Sequence, residues 1–147
     1  MFTLRPSSSK DVQRNFEIWR SAVLATHGFL SGRDFHEIST LVETSYLPAA
    51  ALVVAVDEAD VPHGFMGTTE DTVDALFVHA ESRGKGIGRL LLQSFFANRK
   101  QVMLDVNEEN SSGRMFYEKM GFQVAGRSDL DDAGRPYPLL HMRWRRS

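Results

Sequence analysis

At 147 residues, with 42% hydrophobic and 24% charged side chains, the chain suits one domain with a substantial core. A formal net charge of −2 supplies no general affinity for nucleic acid, and the lack of cysteine excludes disulfides, thiolate metal sites and cysteine nucleophiles. No apolar run approaches ~18 residues and no signal-peptide core opens the chain, so a cytoplasmic protein without membrane contact is expected.

Phe2 to Arg5 reads as a first strand. Ser7 to Ser9 can cap a helix over Asp11 to Ala25 that buries Val12, Phe16, Trp19, Val23 and Leu24. Ser31-x-x-Asp34 has capping-box spacing for a second helix to about Ser45, which Pro48 should break. Ala51–Val56 and Gly64–Thr69 read as a hairpin around the acidic, Pro62-containing turn Asp57–His63. Thr72–Val78 is a further strand. Gln101–Val106, with Val102, Leu104 and Val106 alternating, should be its neighbour. Gly113–Met120 reads as a helix that Asn110 or Ser111 caps and Gly121 ends. Phe122–Gly126 and Leu139–Trp144 close the chain as strands joined by the turn-rich Ser128–Pro138.

Residues 74–89, DALFVHAESRGKGIGR, carry the most chemistry. An apolar strand ends in a polar connector, glycines alternate at Gly84, Gly86 and Gly88, and from Ile87 the pattern is helical, with Ile87, Leu90, Leu91, Leu92 and Phe95 available to a core. Strand, glycine-rich turn and helix aim several backbone N–H groups at one point, where the helix dipole adds partial positive charge. Arg83, Lys85 and Arg89 add full charge, so a pyrophosphate is the expected ligand. The spacing is neither a dinucleotide fingerprint, since positions 89 and 91 are Arg and Leu, nor a P-loop, since no Gly-Lys is followed by Ser or Thr.

What stands is Arg83-x-x-Gly86-x-Gly88, followed downstream by Asn110-x-x-Gly113-x-x-Phe116-Tyr117-Glu118-Lys119-Met120-Gly121-Phe122. The first resembles the coenzyme A motif R/Q-x-x-G-x-G/A of the GNAT superfamily of N-acetyltransferases. The second is similar to that family's N-x-x-A-x-x-F-Y-E-K-x-G-F. Gly113 replaces the usual Ala, which weakens the helix by ~1 kcal/mol but removes no functional group. Ala80 stands where many relatives have Pro. The element order also resembles the family along nearly the whole chain. The stretches Ala25–Leu30, Asp74–Phe77 and Gly126–Leu140 narrow the resemblance to one bacterial subfamily.

The resemblance implies an α/β (α+β) single-domain fold over residues 1–147, with a mixed, mostly antiparallel sheet of about six to seven strands flanked by four helices. It implies acetyl-CoA as acyl-donor co-substrate, no metal, and an amine acceptor that is a small molecule or a protein terminus; the protein would be a monomer or homodimer. Leu76, Phe77 and Val78 would pair through their backbone with pantetheine. An amide there, taken as that of Val78, would polarise the thioester carbonyl as an oxyanion hole does. Phosphates would rest on Arg83, Gly84, Lys85, Gly86, Gly88 and Arg89. Asn107, Asn110 and Phe116 would line the pantetheine path. Tyr117 matches the family's general acid: a phenol with pKa ~10 can hydrogen-bond to a departing thiolate of pKa ~8.5 and protonate it late in the step.

Several residues carry a second reading. Tyr117 could be a half-buried core aromatic, and Asn110 is a good N-cap in any helix. Asp74 shares strand parity with Leu76 and Val78 and could take the amine's proton, directly or through water; otherwise it is a solvated strand carboxylate. His27 and Phe29 lie where the family recognises acceptors, although a His at a helix end also stabilises the dipole. Asp131, with Asp129 and Asp132, could attract a cationic amine or simply be a solvated turn, and Tyr137 is a pocket wall or core. His36, His63, His79 and His141 lack metal-ligand spacing and receive no role. The favoured function is acetyl transfer from acetyl-CoA to a primary amine by direct attack in a ternary complex. The alternative is a non-catalytic acetyl-CoA-binding or sensing module, which would need no proton donor at Tyr117.

Overall fold

Residues with period-2 apolar alternation form strands and those with period-3.6 spacing form helices, in the order the sequence predicts. The computed structural model describes residues Met1–Ser147. Its elements are β1 (Thr3–Pro6), α1 (Val12–Thr26), α2 (Gly32–Leu41), α3 (Leu47–Ala49), β2 (Leu52–Val56), β3 (Pro62–Thr69), β4 (Thr72–Val78), α4 (Ile87–Phe96), β5 (Gln101–Asn107), α5 (Ser111–Lys119), β6 (Gln123–Ser128) and β7 (Leu139–Arg145). The π-helical Val42–Tyr46 joins α2 to α3, giving four helical units with a seven-stranded sheet of order β1-β2-β3-β4-β5-β7-β6. The sheet is mixed: β4 and β5 are parallel, whereas β1–β2, β2–β3, β5–β7 and β6–β7 are antiparallel.

The chain divides into two compact units, Met1–Gly67 with Ala75–Ser94, and Thr68–Asp74 with Phe95–Ser147. In the first, Ile18, Trp19 and Val23 of α1, Leu47, the β2 residues Leu52, Val54 and Val56, and Phe65 of β3 form one core, against which Ala75 and Phe77 pack. Trp19 stacks between Phe16 and Phe35, with centroids 6.0 and 5.9 Å away. Each such side chain contributes roughly 1.5–3 kcal/mol through burial.

Two expectations need correction in this unit. Leu24 is 54% exposed, while Ile18 and Ala22 are buried. The core-facing stripe runs Asn15, Ile18, Trp19, Ala22, Val23, and Leu24 lies a further ~100° around the helix axis. Pro48 also does not break the second helix, which continues through the π-turn to Ala49. Pro48 sits in the first turn of α3, directly after the wider π-turn, and the helix ends one residue later as Ala50 turns extended.

Arg5 locks the start of the chain. Its Nη1 and Nη2 donate to Asp11 at 2.8 and 3.1 Å and its Nε to Asp60 at 2.8 Å, while Ser8 N–H also donates to Asp11 at 2.8 Å. The Arg5 hydrogen bonds, opposed by desolvation, bring the Asp11 carboxyl down to about 2 from an ordinary 3.8. Its folded pKa lies below the unfolded one, so its stabilisation is full above about pH 4 and is lost as pH falls toward 2. Asp11→Asn leaves the half-buried Arg5 guanidinium with Asp60 alone and should cost about 1–3 kcal/mol at neutral pH. Denaturant melts of both proteins should converge near pH 2; a constant difference across that range would refute this role.

In the second unit β5 and β7 pair along their whole length, from Gln101↔Arg145 to Asn107↔Leu139, and the β4–β5 ladder covers Thr72↔Met103 and Val73↔Leu104. Val102, Leu104, Val106, Phe122, Leu140 and Met142 are buried. Trp144 stacks on Phe96 with centroids 4.0 Å apart, and Gly121, at φ 101°, ends α5 next to that indole.

Candidate active site

The first unit carries the anion cradle. Along β4, Ala75 and Phe77 face the core, and Phe77 meets Phe65 at 5.7 Å, which turns Leu76 and Val78 the other way. Phe77 is half-buried with its ring against that core. After a 3-10 turn at Ala80–Ser82, Arg83, Gly84, Lys85 and Gly86 are all exposed, and α4 begins at buried Ile87. Gly84 and Gly86 have φ of 77° and 82°, and no protein atom lies within 4 Å of where a Cβ would stand on either. Leu90 N–H donates to the Gly86 carbonyl at 2.9 Å, so the amides of Ile87, Gly88 and Arg89 form the unpaired first turn of the helix. Glycine is needed at these two positions for left-handed backbone, and the space beside them is open to a ligand. With Arg83, Lys85 and Arg89 exposed around those amides, the residues fit a pyrophosphate.

A close approach sets the cradle's height. A Cβ on Gly64 of β3 would lie 2.7 Å from Ile87 Cγ2 and 3.2 Å from the Phe77 carbonyl. The sequence marks Gly64 only as the start of a strand; its packing role depends on how β3, β4 and α4 meet. His27 caps the C-terminus of α1, with Nδ1 2.6 Å from Thr26 Oγ1 and its ring 5.2 Å from that of Phe29.

The second unit carries the Asn110–Phe122 segment. Asn110 caps α5: its Oδ1 accepts from Gly113 N–H at 3.1 Å, and its N–H donates to the Asn107 carbonyl at 2.9 Å. A Cβ on Gly113 would stand 2.5 Å from Asn110 Nδ2, so the Gly-for-Ala departure gives the Asn110 amide room over the helix end. Tyr117 is half-buried, wedged edge-on between Phe116 and Phe122 at 5.3 and 5.6 Å. Burial raises its phenol well above the ordinary value of 10.0, so the hydroxyl keeps its proton even in alkaline solution where a free phenol would begin to lose it. Asp74 is exposed, and its Oδ2 accepts from Thr69 Oγ1 at 2.5 Å. Asp131 Oδ1 accepts from the N–H groups of Ala133 and Arg135 at 3.0 and 2.7 Å, which makes it a turn-former, and Tyr137 is buried.

Two hydrogen-bonded chains escaped the sequence reading. Asp57 Oδ2, His63 and Ser82 Oγ are linked at 2.8 and 2.7 Å in the first unit. Asp105 Oδ1, His141 and Ser128 Oγ are linked at 2.6 Å on each side of the ring in the second. Strand alternation marks Asp105 as outward-facing, but its pairing with His141 requires the β5–β7 register.

A strand leading into a left-handed glycine cradle at the start of a helix is the class of site that holds the pyrophosphate of a nucleotide thioester. Residues 48–124 match the family model described as an acetyltransferase (GNAT) domain. The chain is 43% identical over 142 residues to the peptidyl-lysine N-acetyltransferase YjaB of Salmonella typhimurium, covering 97% of each protein. The solution structure of apo YjaB from Escherichia coli superposes with a TM-score of 0.93 at 41% identity, covering 98% of this chain and 97% of that one. A PaiA N-acetyltransferase from Thermoplasma acidophilum, solved with coenzyme A, shares the fold at 20% identity and a TM-score of 0.78, covering 99% of each.

The chain belongs to the GNAT acetyltransferase family. It is an acetyl-CoA-dependent N-acetyltransferase, and the reading as a non-catalytic binding module falls away. No helix is long and apolar enough to cross a membrane.

Proposed function

We propose that this chain, acting as one catalytic domain in the cytoplasm, acetylates the ε-amine of lysine in proteins or peptides. The observation that carries this reading is the open cradle with Gly84 and Gly86 left-handed, and the similarity to YjaB supports the lysine acceptor. Arg83 to Arg89 hold the pyrophosphate by amides and charge, and the backbone of Leu76–Val78 aligns pantetheine, with the Val78 amide polarising the thioester carbonyl. Asn107, Asn110 and Phe116 flank the pantetheine arm. The neutral amine attacks the carbonyl carbon, the C–N bond forms as the C–S bond breaks, and Tyr117 gives its proton to sulfur. Enclosure raises the basicity of a thiolate as it raises that of a phenolate, so the mismatch of their values in water is not the relevant one.

Two groups can take the amine's proton: Asp74, on the Leu76 and Val78 side of β4, and His141, whose Nδ1–H is held by Asp105. Acceptor recognition falls to His27 and Phe29 and to the loop from Asp131 to Tyr137. Thiol release from acetyl-CoA over a panel of lysine peptides, free polyamines and α-amino termini tests the assignment. Lysine peptides should give the highest kcat/KM, with mass spectrometry placing the acetyl group on Nζ; preference for a free amine would overturn the acceptor. In the same assay Asp74→Asn or His141→Gln, whichever removes the base, should lose activity while acetyl-CoA affinity stays unchanged.

A further inference from the structure

The Asp57–His63–Ser82 chain ties the β2–β3 turn to the residue that introduces the cradle. Asp57 closes that turn, its Oδ1 accepting from Ala59 and Val61 N–H at 2.9 and 3.0 Å. Its second oxygen takes His63 Nε2 at 2.8 Å. A carboxylate only accepts, so Nε2 carries a proton, and Nδ1 shares a hydrogen bond with the Ser82 hydroxyl at 2.7 Å. Backbone bonds run alongside: His79 N–H donates to the His63 carbonyl and Ser82 N–H to the His79 carbonyl, both at 2.8 Å. Phe2 packs edge-on against the imidazole at 5.3 Å. Ser82 is only 4% exposed and directly precedes Arg83. So buried a hydroxyl cannot reach a substrate carbonyl, which excludes a Ser-His-Asp nucleophile despite the order of partners.

The loop that follows is exposed and holds two glycines, the residues that lose most freedom on ordering. Any disorder left in it must be frozen when an anion binds, and that cost appears directly in Kd. We propose that His63, oriented by Asp57 and gripping Ser82, is a positioning residue that presets the Arg83–Gly88 amides for the cofactor pyrophosphate. This rests on reading the cradle as the acetyl-CoA site. Its consequence is selective: only donors that carry the pyrophosphate benefit.

The test compares acetyl-CoA with S-acetyl-pantetheine, which has the same thioester without the pyrophosphate. His63→Phe keeps a ring against Phe2 and deletes both hydrogen bonds; Ser82→Ala deletes one and carries the test should His63→Phe fail to fold. Each variant should raise the Kd for acetyl-CoA by about 5- to 30-fold. Both kcat at saturating acetyl-CoA and kcat/KM with S-acetyl-pantetheine should stay within about twofold of wild type. The double variant should be no weaker than the worse single one, because both break the same chain. An unchanged Kd, or an equal loss with both donors, in a wild-type background that prefers acetyl-CoA overturns the positioning role alone. A wild type that uses both donors equally well overturns the cradle reading, and the proposal with it.

Discussion

Replacing Tyr117 by Phe is expected to lower kcat by about 10²- to 10⁴-fold, roughly 3–5 kcal/mol of barrier, while acetyl-CoA affinity barely changes. The substitution keeps the ring between Phe116 and Phe122 and deletes only the hydroxyl. As the proposed proton donor, that hydroxyl would act only when charge develops on sulfur, so its loss should fall on kcat and not on cofactor binding. A merely structural tyrosine would behave the other way: up to about 1–3 kcal/mol of stability lost if a buried partner were left unsatisfied, with turnover intact. The pH profile supplies a second readout. An acid must keep its proton, so its contribution falls as pH rises through its pKa. Burial moves that loss above the ordinary 10.0, so no alkaline decline below about pH 10 should trace to Tyr117. Near-normal turnover in the Phe variant would remove Tyr117 from the chemistry and leave catalysis to positioning.

Gly86→Val is expected to weaken acetyl-CoA binding by at least about tenfold, with little change in melting temperature. At φ 82° a β-branched residue is strained by about 1–2 kcal/mol or more, and the loop relieves this by leaving the left-handed region. No atom beyond the adjoining residues lies within 4 Å of the Cβ position, so the cost comes from the backbone angle and not from a clash of that Cβ with the fold. The loss therefore falls on the ligand, through misaimed amides and a side chain placed where the pyrophosphate approaches. Calorimetric titration with acetyl-CoA and with CoA measures it. Because Tyr117 is untouched, kcat at saturating donor should recover toward wild type, the reverse of the Tyr117→Phe pattern. Equal affinity in the two proteins would show that the cradle holds something else.

Much of this was legible before any coordinate, and for one reason: it is local. The alternation in Thr72–Val78, the alternating glycines after it, the Asn110 cap and the Gly121 stop are each determined within a few residues of chain, so element order and cradle follow from the sequence read in order. Tertiary structure decided what local chemistry cannot. Leu24 satisfies helical spacing as well as Val23 does, and only the direction from which β2 packs on α1 leaves it in solvent. Pro48 reads as a breaker until a π-turn widens the helix ahead of it. The histidines His63 and His141 look idle in the sequence because their partners Ser82 and Asp105 lie 19 and 36 residues away. Only strand register and loop packing bring those partners within hydrogen-bonding reach. Tyr117 is the clearest division: its motif names it and a phenol keeps its proton at neutral pH anywhere, but the rise of its pKa above 10.0 comes from desolvation, a property of the surroundings that no neighbouring residue in the chain specifies.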